Sequence, residues 1–535
     1  MTMRRLLPVL LHAFLLAALL AHEATAAVDT PAADAAAVDT AAVDTAAVDA
    51  APGPYRVGFH VRQQYDRARV YLRPRNPVTA QATSADRARP LQTLVWYPAI
   101  GTGGGAMTYR DYLATVATEE EFSRTPEQVR RATDLLAQAG GARLQGGLRS
   151  PVRALRDALE RPGKFPVVIY APSHSAYAIE NADLCEYLAS HGYIVLATPS
   201  LGPRAHAMTA DLDGAEAQAA DIGFLVGYAH TLAQADTGRI AIVGYSWGSL
   251  AGVLAAARDD RIRALASLDG SLRAAFDYVN GGPRAAPYVT PESIGIPMLY
   301  LTRLQGPGQE EAAVGADLLA RMRYADIYLA TLDTARHTDF SSWSLRMAPD
   351  AAFTDRTRAQ GALAYAAMAR TVERFLDARL RNDASARRQL DADLAASRPP
   401  PGLVSFAVRR AAGAPPSLDT FLEQIGQQGF DRIGPIYDRL HAQNPDLALD
   451  PLQAHDWGMG LLRERRPADA LQVFRLGVRL YPERFDFLYD GLGQAYEAAG
   501  ERDAAIGSYR QALALEPGQT HARERLGALG AAGSQ

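Results

Sequence analysis

One short stretch of the 535-residue chain has the residue types and spacing for covalent chemistry: Gly244-Tyr245-Ser246-Trp247-Gly248. An apolar run from Ile240 to Val243 leads into it and a small-residue stretch at 250–257 follows. Strand, Gly-x-Ser-x-Gly, helix is the pattern of a nucleophile elbow, a sharp turn that lifts a serine above the end of a sheet. The flanking glycines leave room for backbone that a Cβ would strike. The turn also aims the Trp247 N–H at the reaction centre, where the helix N-terminus favours developing negative charge.

A serine hydroxyl is a weak nucleophile until a base takes its proton, and that base needs an orienting acid. The chain has eleven histidines. His337 follows the last apolar run, 327–332, so it would sit in a loop at the sheet edge from which Ser246 emerges, and it is the expected base. His12 and His22 lie in the leader, His60 precedes the sheet, and His441, His455 and His521 fall in the C-terminal repeats. His191 and His230 read as packing or capping residues, and His206 as a residue that lines the cleft. For the acid, Asp269-Gly270 follows directly on the apolar run 264–268 and is the first choice. Glu310 and Glu311 are the alternative, one strand later; Asp333 reads as a residue that shapes the His337 loop.

These side chains need a scaffold. Apolar runs at 93–97, 167–171, 194–198, 240–244, 264–268, 298–302 and 327–332 alternate with helical stretches. Several are near-continuous in Val, Ile, Leu and Ala, as strands covered on both faces must be. The alternation predicts an α/β fold, a mostly parallel sheet with helices on both sides. Residues 55–71 read as a leading antiparallel hairpin. Residues 107–160 read as a long polar and helical insertion and a candidate lid.

The elbow, the acid 23 residues beyond Ser246, Leu94-Val-Trp96-Tyr97-Pro98, Leu188-Ala-Ser-His191-Gly192-Tyr193 and His337-Thr-Asp-Phe340 together resemble the platelet-activating-factor acetylhydrolases and their bacterial dienelactone-hydrolase-like relatives. The resemblance spans roughly residues 55–380. It implies an α/β-hydrolase fold, a Ser246–Asp269–His337 triad, and hydrolysis of carboxylic esters, acetyl or phospholipid acyl esters among them, through an acyl-enzyme with no cofactor and no metal. One position departs from the family. Where it has His-Gly before the second oxyanion-hole residue, this chain reads Pro172-Ser173-His174-Ser175. By position His174 supplies the second backbone N–H beside Trp247, and a positive φ at Ser173 would be strained. Two other readings stand beside the esterase: a peptide or amide hydrolase with the same triad, and a degenerate hydrolase serving as an interaction protein.

The rest of the chain is organised around this domain. Arg4 and Arg5, a short apolar run at 6–21 and Ala24-Thr25-Ala26 describe a signal peptide over 1–26, so the protein is expected to be exported, periplasmic or secreted, without a membrane-spanning segment after cleavage. Residues 27–52 repeat Ala-Val-Asp-Thr and read as a flexible spacer. The hydrolase domain is assigned to 53–382 and a Pro- and Gly-rich linker to 383–416. Residues 417–530 are helical and internally repeated. Tyr489, Leu492, Gly493, Tyr496, Ala505, Tyr509, Ala512 and Pro517 are echoed by Gly458, Leu461, Ala470, Phe474, Gly477 and Pro482, and more faintly by Ile433, Tyr437, Leu440 and Pro445. This resembles the tetratricopeptide repeats and implies a protein or peptide partner. With 55 basic against 59 acidic residues and a net charge of −4, no overall basic field points to nucleic acid. The single cysteine, Cys185, excludes an intrachain disulfide or a CxxC zinc site. With serine in the elbow, it reads as a buried small hydrophobe.

Overall fold

In the computed structural model, residues 50–71, 87–100, 104–272, 276–278, 284–304, 318–396, 399–445 and 447–530 are described. The expected signal peptide, nearly all of the spacer, and Glu310 and Glu311 lie outside them. The chain divides into two units, at Ala412/Gly413.

The first unit is built on one sheet of eleven strands: β1 (Arg56–Val70), β2 (Ala88–Ala99), β3 (Gly105–Thr108), β4 (Pro151–Arg156), β5 (Phe165–Ala171), β6 (Ile194–Ala197), β7 (Ala235–Tyr245), β8 (Ile262–Leu268), β9 (Met298–Arg303), β10 (Ile327–Leu332) and β11 (Leu403–Arg409). Their spatial order is β3-β4-β1-β2-β6-β5-β7-β8-β9-β10-β11. The six strands from β6 to β10 run parallel. β2 is antiparallel to both of its neighbours.

Side chains alternate across a strand, and the apolar runs feed two cores. Val168 and Tyr170 point into one core with Tyr187, Leu188 and Phe375, from the helices Ala182–Ser190 and Arg358–Arg379. Val167 and Ile169 point into the other with Ile222 and Leu250, from the helices Leu212–Ala229 and Trp247–Ala256. Helices therefore cover both faces, which is why these strands show no polar alternation. The parallel core with its antiparallel second strand, the crossover of β5 and β6, and a strand–serine–helix turn after β7 make this an α/β-hydrolase fold.

All seven expected strands are present. Residues 55–71 differ from expectation: they form one strand, not a hairpin. Its antiparallel partner is β2, in register from Arg56↔Ala99 to Asp66↔Arg89. The span read as a linker also differs. Residues Ala384–Ala395 form a helix that buries Leu390, and β11 pairs antiparallel with β10. The 107–160 insertion carries most of β3 and all of β4 into the sheet, and it buries Tyr112 against Phe59 and Trp96, with Tyr109 packed edge-on against Tyr112.

The second unit is all helical: Leu418–Gln428, Ile433–Gln443, Pro451–Arg463, Pro467–Leu480, Asp486–Ala498, Arg502–Leu515 and Thr520–Ala528. From Pro451 onward each helix packs on the next. Gly493 lets two of them close: a Cβ there would meet the Tyr509 ring at 2.6 Å. No described helix is long and apolar enough to cross a membrane.

Candidate active site

Three parallel strands deliver the three expected side chains to one edge of the sheet. Ser246 directly follows β7 and caps the helix Trp247–Ala256 with φ 51° and ψ −115°, a conformation that typically costs a non-glycine residue about 1–3 kcal/mol. The surroundings enforce it. The Ser246 N–H donates to the Leu268 carbonyl (3.0 Å), and the Ser271 N–H donates to the Ser246 carbonyl (3.1 Å). A Cβ on Gly248 would lie 2.1 Å from the Ala171 oxygen, and one on Gly244 2.5 Å from the Gly248 oxygen. The turn can form only with glycine at both places.

His337 begins a short 3-10 turn after β10. Its Nε2 lies 3.0 Å from Ser246 Oγ and its Nδ1 lies 2.6 Å from Asp269 Oδ2. Asp269 follows β8, and its other oxygen accepts from Thr302 Oγ1 (3.1 Å) and the Arg303 N–H (3.3 Å) at the end of β9. Burial pushes the Asp269 carboxyl up. The hydrogen bond and charge of His337, with the Arg303 guanidinium, outweigh burial and hold it below the usual carboxylate range. The His337 carbonyl accepts from Tyr245 Oη (2.8 Å), whose ring stands 5.1 Å from the imidazole. The loop itself is fixed by Asp339, which accepts from the Arg336 N–H (2.8 Å) and from Arg356 Nε (2.6 Å) in a buried ion pair.

Trp247 is the first residue of its helix, where backbone N–H groups have no intrahelical acceptor. The His174 ring packs edge-on against the Trp247 ring at 5.5 Å. Burial lowers the His174 pKa, against the opposing pull of the Thr209 backbone and Asp211. Ser173 avoids the strain that a positive φ would bring; the positive φ in this loop falls on Ser175, at 56°. Ser175 Oγ accepts from the Met208 N–H (2.8 Å), which offers that strained residue a compensating bond. Ser173 is held by Glu180: its N–H donates to Oε2 (2.8 Å) and its hydroxyl to Oε1. Burial raises the Glu180 pKa, opposed by the bonds from Ser173 and Tyr170 and by the charge of His337.

The other sequence candidates stand elsewhere. His206 Nδ1 pairs with Glu120 Oε1 at 3.0 Å. His60 is buried on β1, where burial lowers its pKa to about 4. His191 Nδ1 contacts the Tyr187 carbonyl (2.8 Å), and His230 caps the helix Leu212–Ala229. Asp333 is exposed, and its N–H donates to the Gly402 carbonyl (3.1 Å). Cys185 is buried, and burial pushes its thiol well above the ordinary value. Among the described residues, no cluster of His, Cys, Asp and Glu is placed to hold a metal ion. Sequence reasoning missed Tyr245, Thr302 and Glu180. Asp339 was legible only as part of the His-Thr-Asp-Phe run.

No family model matches the chain, and no curated protein matches it. Among solved structures, the chain is similar to a ferulic acid esterase from Streptomyces cinnamoneus, with a TM-score of 0.44 and 20% sequence identity, over 62% of this chain and 93% of that one.

Proposed function

We propose that the first unit is a serine hydrolase that cleaves carboxylic esters. The observation that carries this reading is the unbroken line from Asp269 through His337 to Ser246, with contacts of 2.6 and 3.0 Å, ending on an elbow serine. In the first half-reaction Ser246 Oγ attacks the ester carbonyl carbon while His337 Nε2 takes the hydroxyl proton. Asp269 holds Nδ1 and stabilises the imidazolium without taking the proton itself. The oxyanion is received by the backbone N–H groups of Trp247 and His174. Collapse expels the alcohol, which His337 protonates, and leaves an acyl-Ser246. Water then repeats the sequence with His337 as its base, releasing the acid.

The acetylhydrolase-like and dienelactone-hydrolase-like motifs favour acetyl and other acyl esters within that class. The leader at 1–26 supports export. The repeat pattern of the second unit supports a tetratricopeptide-like module that takes a protein or peptide partner.

The test is hydrolysis of short-chain p-nitrophenyl esters and labelling by a fluorophosphonate. Wild-type protein is expected to do both, and Ser246→Ala to lose labelling and at least ~10³-fold in kcat. Equal rates in the two proteins would refute the reading. Folded wild-type protein that neither labels nor hydrolyses would point to an inert interaction protein.

A further inference from the structure

The departure at Ser173 has a partner. The Ser173 N–H and hydroxyl both donate to the Glu180 carboxylate, and Tyr170 Oη donates to the same group at 3.1 Å. The next residue, Asn181, carries the connection onward. Its Nδ2 donates to Tyr170 Oη (2.9 Å) and to the Phe340 carbonyl (2.8 Å). Its Oδ1 accepts from the Ser342 N–H (2.8 Å) and Tyr365 Oη (2.9 Å). The Glu180 main-chain carbonyl accepts from the Trp343 N–H (3.0 Å) and Ser341 Oγ (3.1 Å). Two adjacent residues thus hold the loop that carries His174 and the segment that follows His337.

We propose that Ser173 and Glu180 form a clamp that preorganises the oxyanion-binding loop, with Glu180 as a positioning residue that also ties this loop to the His337 loop. The inference rests on the serine-hydrolase reading. His174 sits between two anchored residues, Ser173 on Glu180 and Ser175 on the Met208 N–H. A glycine at 173 would keep the N–H bond to Glu180 and lose the hydroxyl bond. Bonds to a charged acceptor are the stronger kind, and several on one carboxylate fix its orientation. Serine here therefore restrains the turn that a donor aimed at an oxyanion needs. None of Glu180's hydrogen bonds goes to Ser246, Asp269 or the His337 imidazole, so its effect on the chemistry passes through the loops it holds.

The experiment compares wild type with Ser173→Gly, Ser173→Thr and Glu180→Gln, using two readouts: kcat per fluorophosphonate-titrated site with KM, and amide hydrogen exchange of the 172–181 segment. Removing one oxyanion donor costs ~10²–10³ in rate, so a loosened donor is expected to cost about tenfold. Ser173→Gly and Glu180→Gln should lower kcat by about that factor with KM within twofold, and should speed exchange of the segment. Ser173→Thr, which keeps the hydroxyl, should recover most of kcat. Wild-type kcat and wild-type exchange in both Ser173→Gly and Glu180→Gln would overturn the clamp. A fall in the titrated fraction with kcat per site unchanged would overturn it too, because the residues would then only support folding. If wild-type protein is inert toward ester and fluorophosphonate but both variants speed exchange, the clamp is upheld as a loop restraint and the hydrolase reading fails.

Discussion

His337 Nδ1 lies 2.6 Å from Asp269 Oδ2, although the two residues follow strands that are not neighbours, since β9 runs between β8 and β10. The carboxylate must therefore reach over the end of β9, and Asp269 takes a φ of 40° there. The end of β9 serves as its seat: Thr302 Oγ1 and the Arg303 N–H bond the oxygen that His337 does not use. An acid set one strand back is thus oriented by the strand it crosses.

Asp269→Asn should fold like wild type, because asparagine tolerates a positive φ and fills the same space. It should lose about 10³–10⁴-fold in kcat, because an amide cannot stabilise the imidazolium and favours the wrong tautomer. Steady-state kinetics with a p-nitrophenyl ester, beside a thermal melt, checks both halves of the statement.

Gly248→Ala is expected to be far more damaging than Gly146→Ala. The first places a Cβ 2.1 Å from the Ala171 oxygen, where only backbone can yield; the second meets nothing within 4 Å. Overpacking of this kind costs roughly 1–3 kcal/mol or more, and here it also displaces the oxyanion loop. Urea midpoints and fluorophosphonate labelling should separate the two variants.

Glu186 gives a prediction in pH. It is buried and accepts from Tyr112 Oη (2.5 Å) and from the Arg153 and Ala154 N–H groups. Burial, then the nearby Asp183 charge, raises its pKa to about 7 against those bonds. Between an unfolded value near 4.5 and about 7, the unfolded chain releases this proton while the folded chain keeps it. The contribution to stability is therefore full at pH 4.5 and falls as pH rises to about 7. Glu186→Gln removes that dependence. Relative to wild type, the variant should look better at pH 7.5 than at pH 5, by up to about 3 kcal/mol. Denaturant titrations of both proteins at the two pH values measure the difference.

A chain truncated after Ala412 should remain folded and reactive, whereas one truncated after Ala395 should not keep its stability. The shorter chain loses β11, so β10 becomes an edge strand, and it loses the buried Leu403 and the stacking of Phe406 on Tyr328 at 6.4 Å. A melting temperature lower by at least ~5 °C is expected, with more aggregation through the bared edge. Calorimetry and light scattering on the two truncated chains test this.

The same strand marks where the sequence stopped being legible. The parallel strands announce themselves because burial on both faces leaves only apolar residues, as in Phe165–Ala171. β11 is an edge strand with most of its residues partly or fully exposed, and it lies between proline-rich stretches that read as linker. Its pairing with β10, 74 residues away at Ser405 and Thr331, is a tertiary fact. The elbow was legible because its glycines answer to local sterics. The nearness of Asp269 to His337 could only be narrowed to a choice among acids. Glu180 was not visible at all: an acid in a loop has no sequence mark until the loop's path brings Ser173 back to it.

Cys185 has one more consequence. Its side chain is fully buried between helix and sheet, and burial keeps the sulfur in its thiol form, so maleimides should not modify the native protein. The natural chain is thus already suited to single-site fluorophore attachment. A cysteine introduced at Leu363 (69% exposed) or Leu452 (60% exposed) would be the one thiol to react, putting a reporter on either unit without first deleting a native residue.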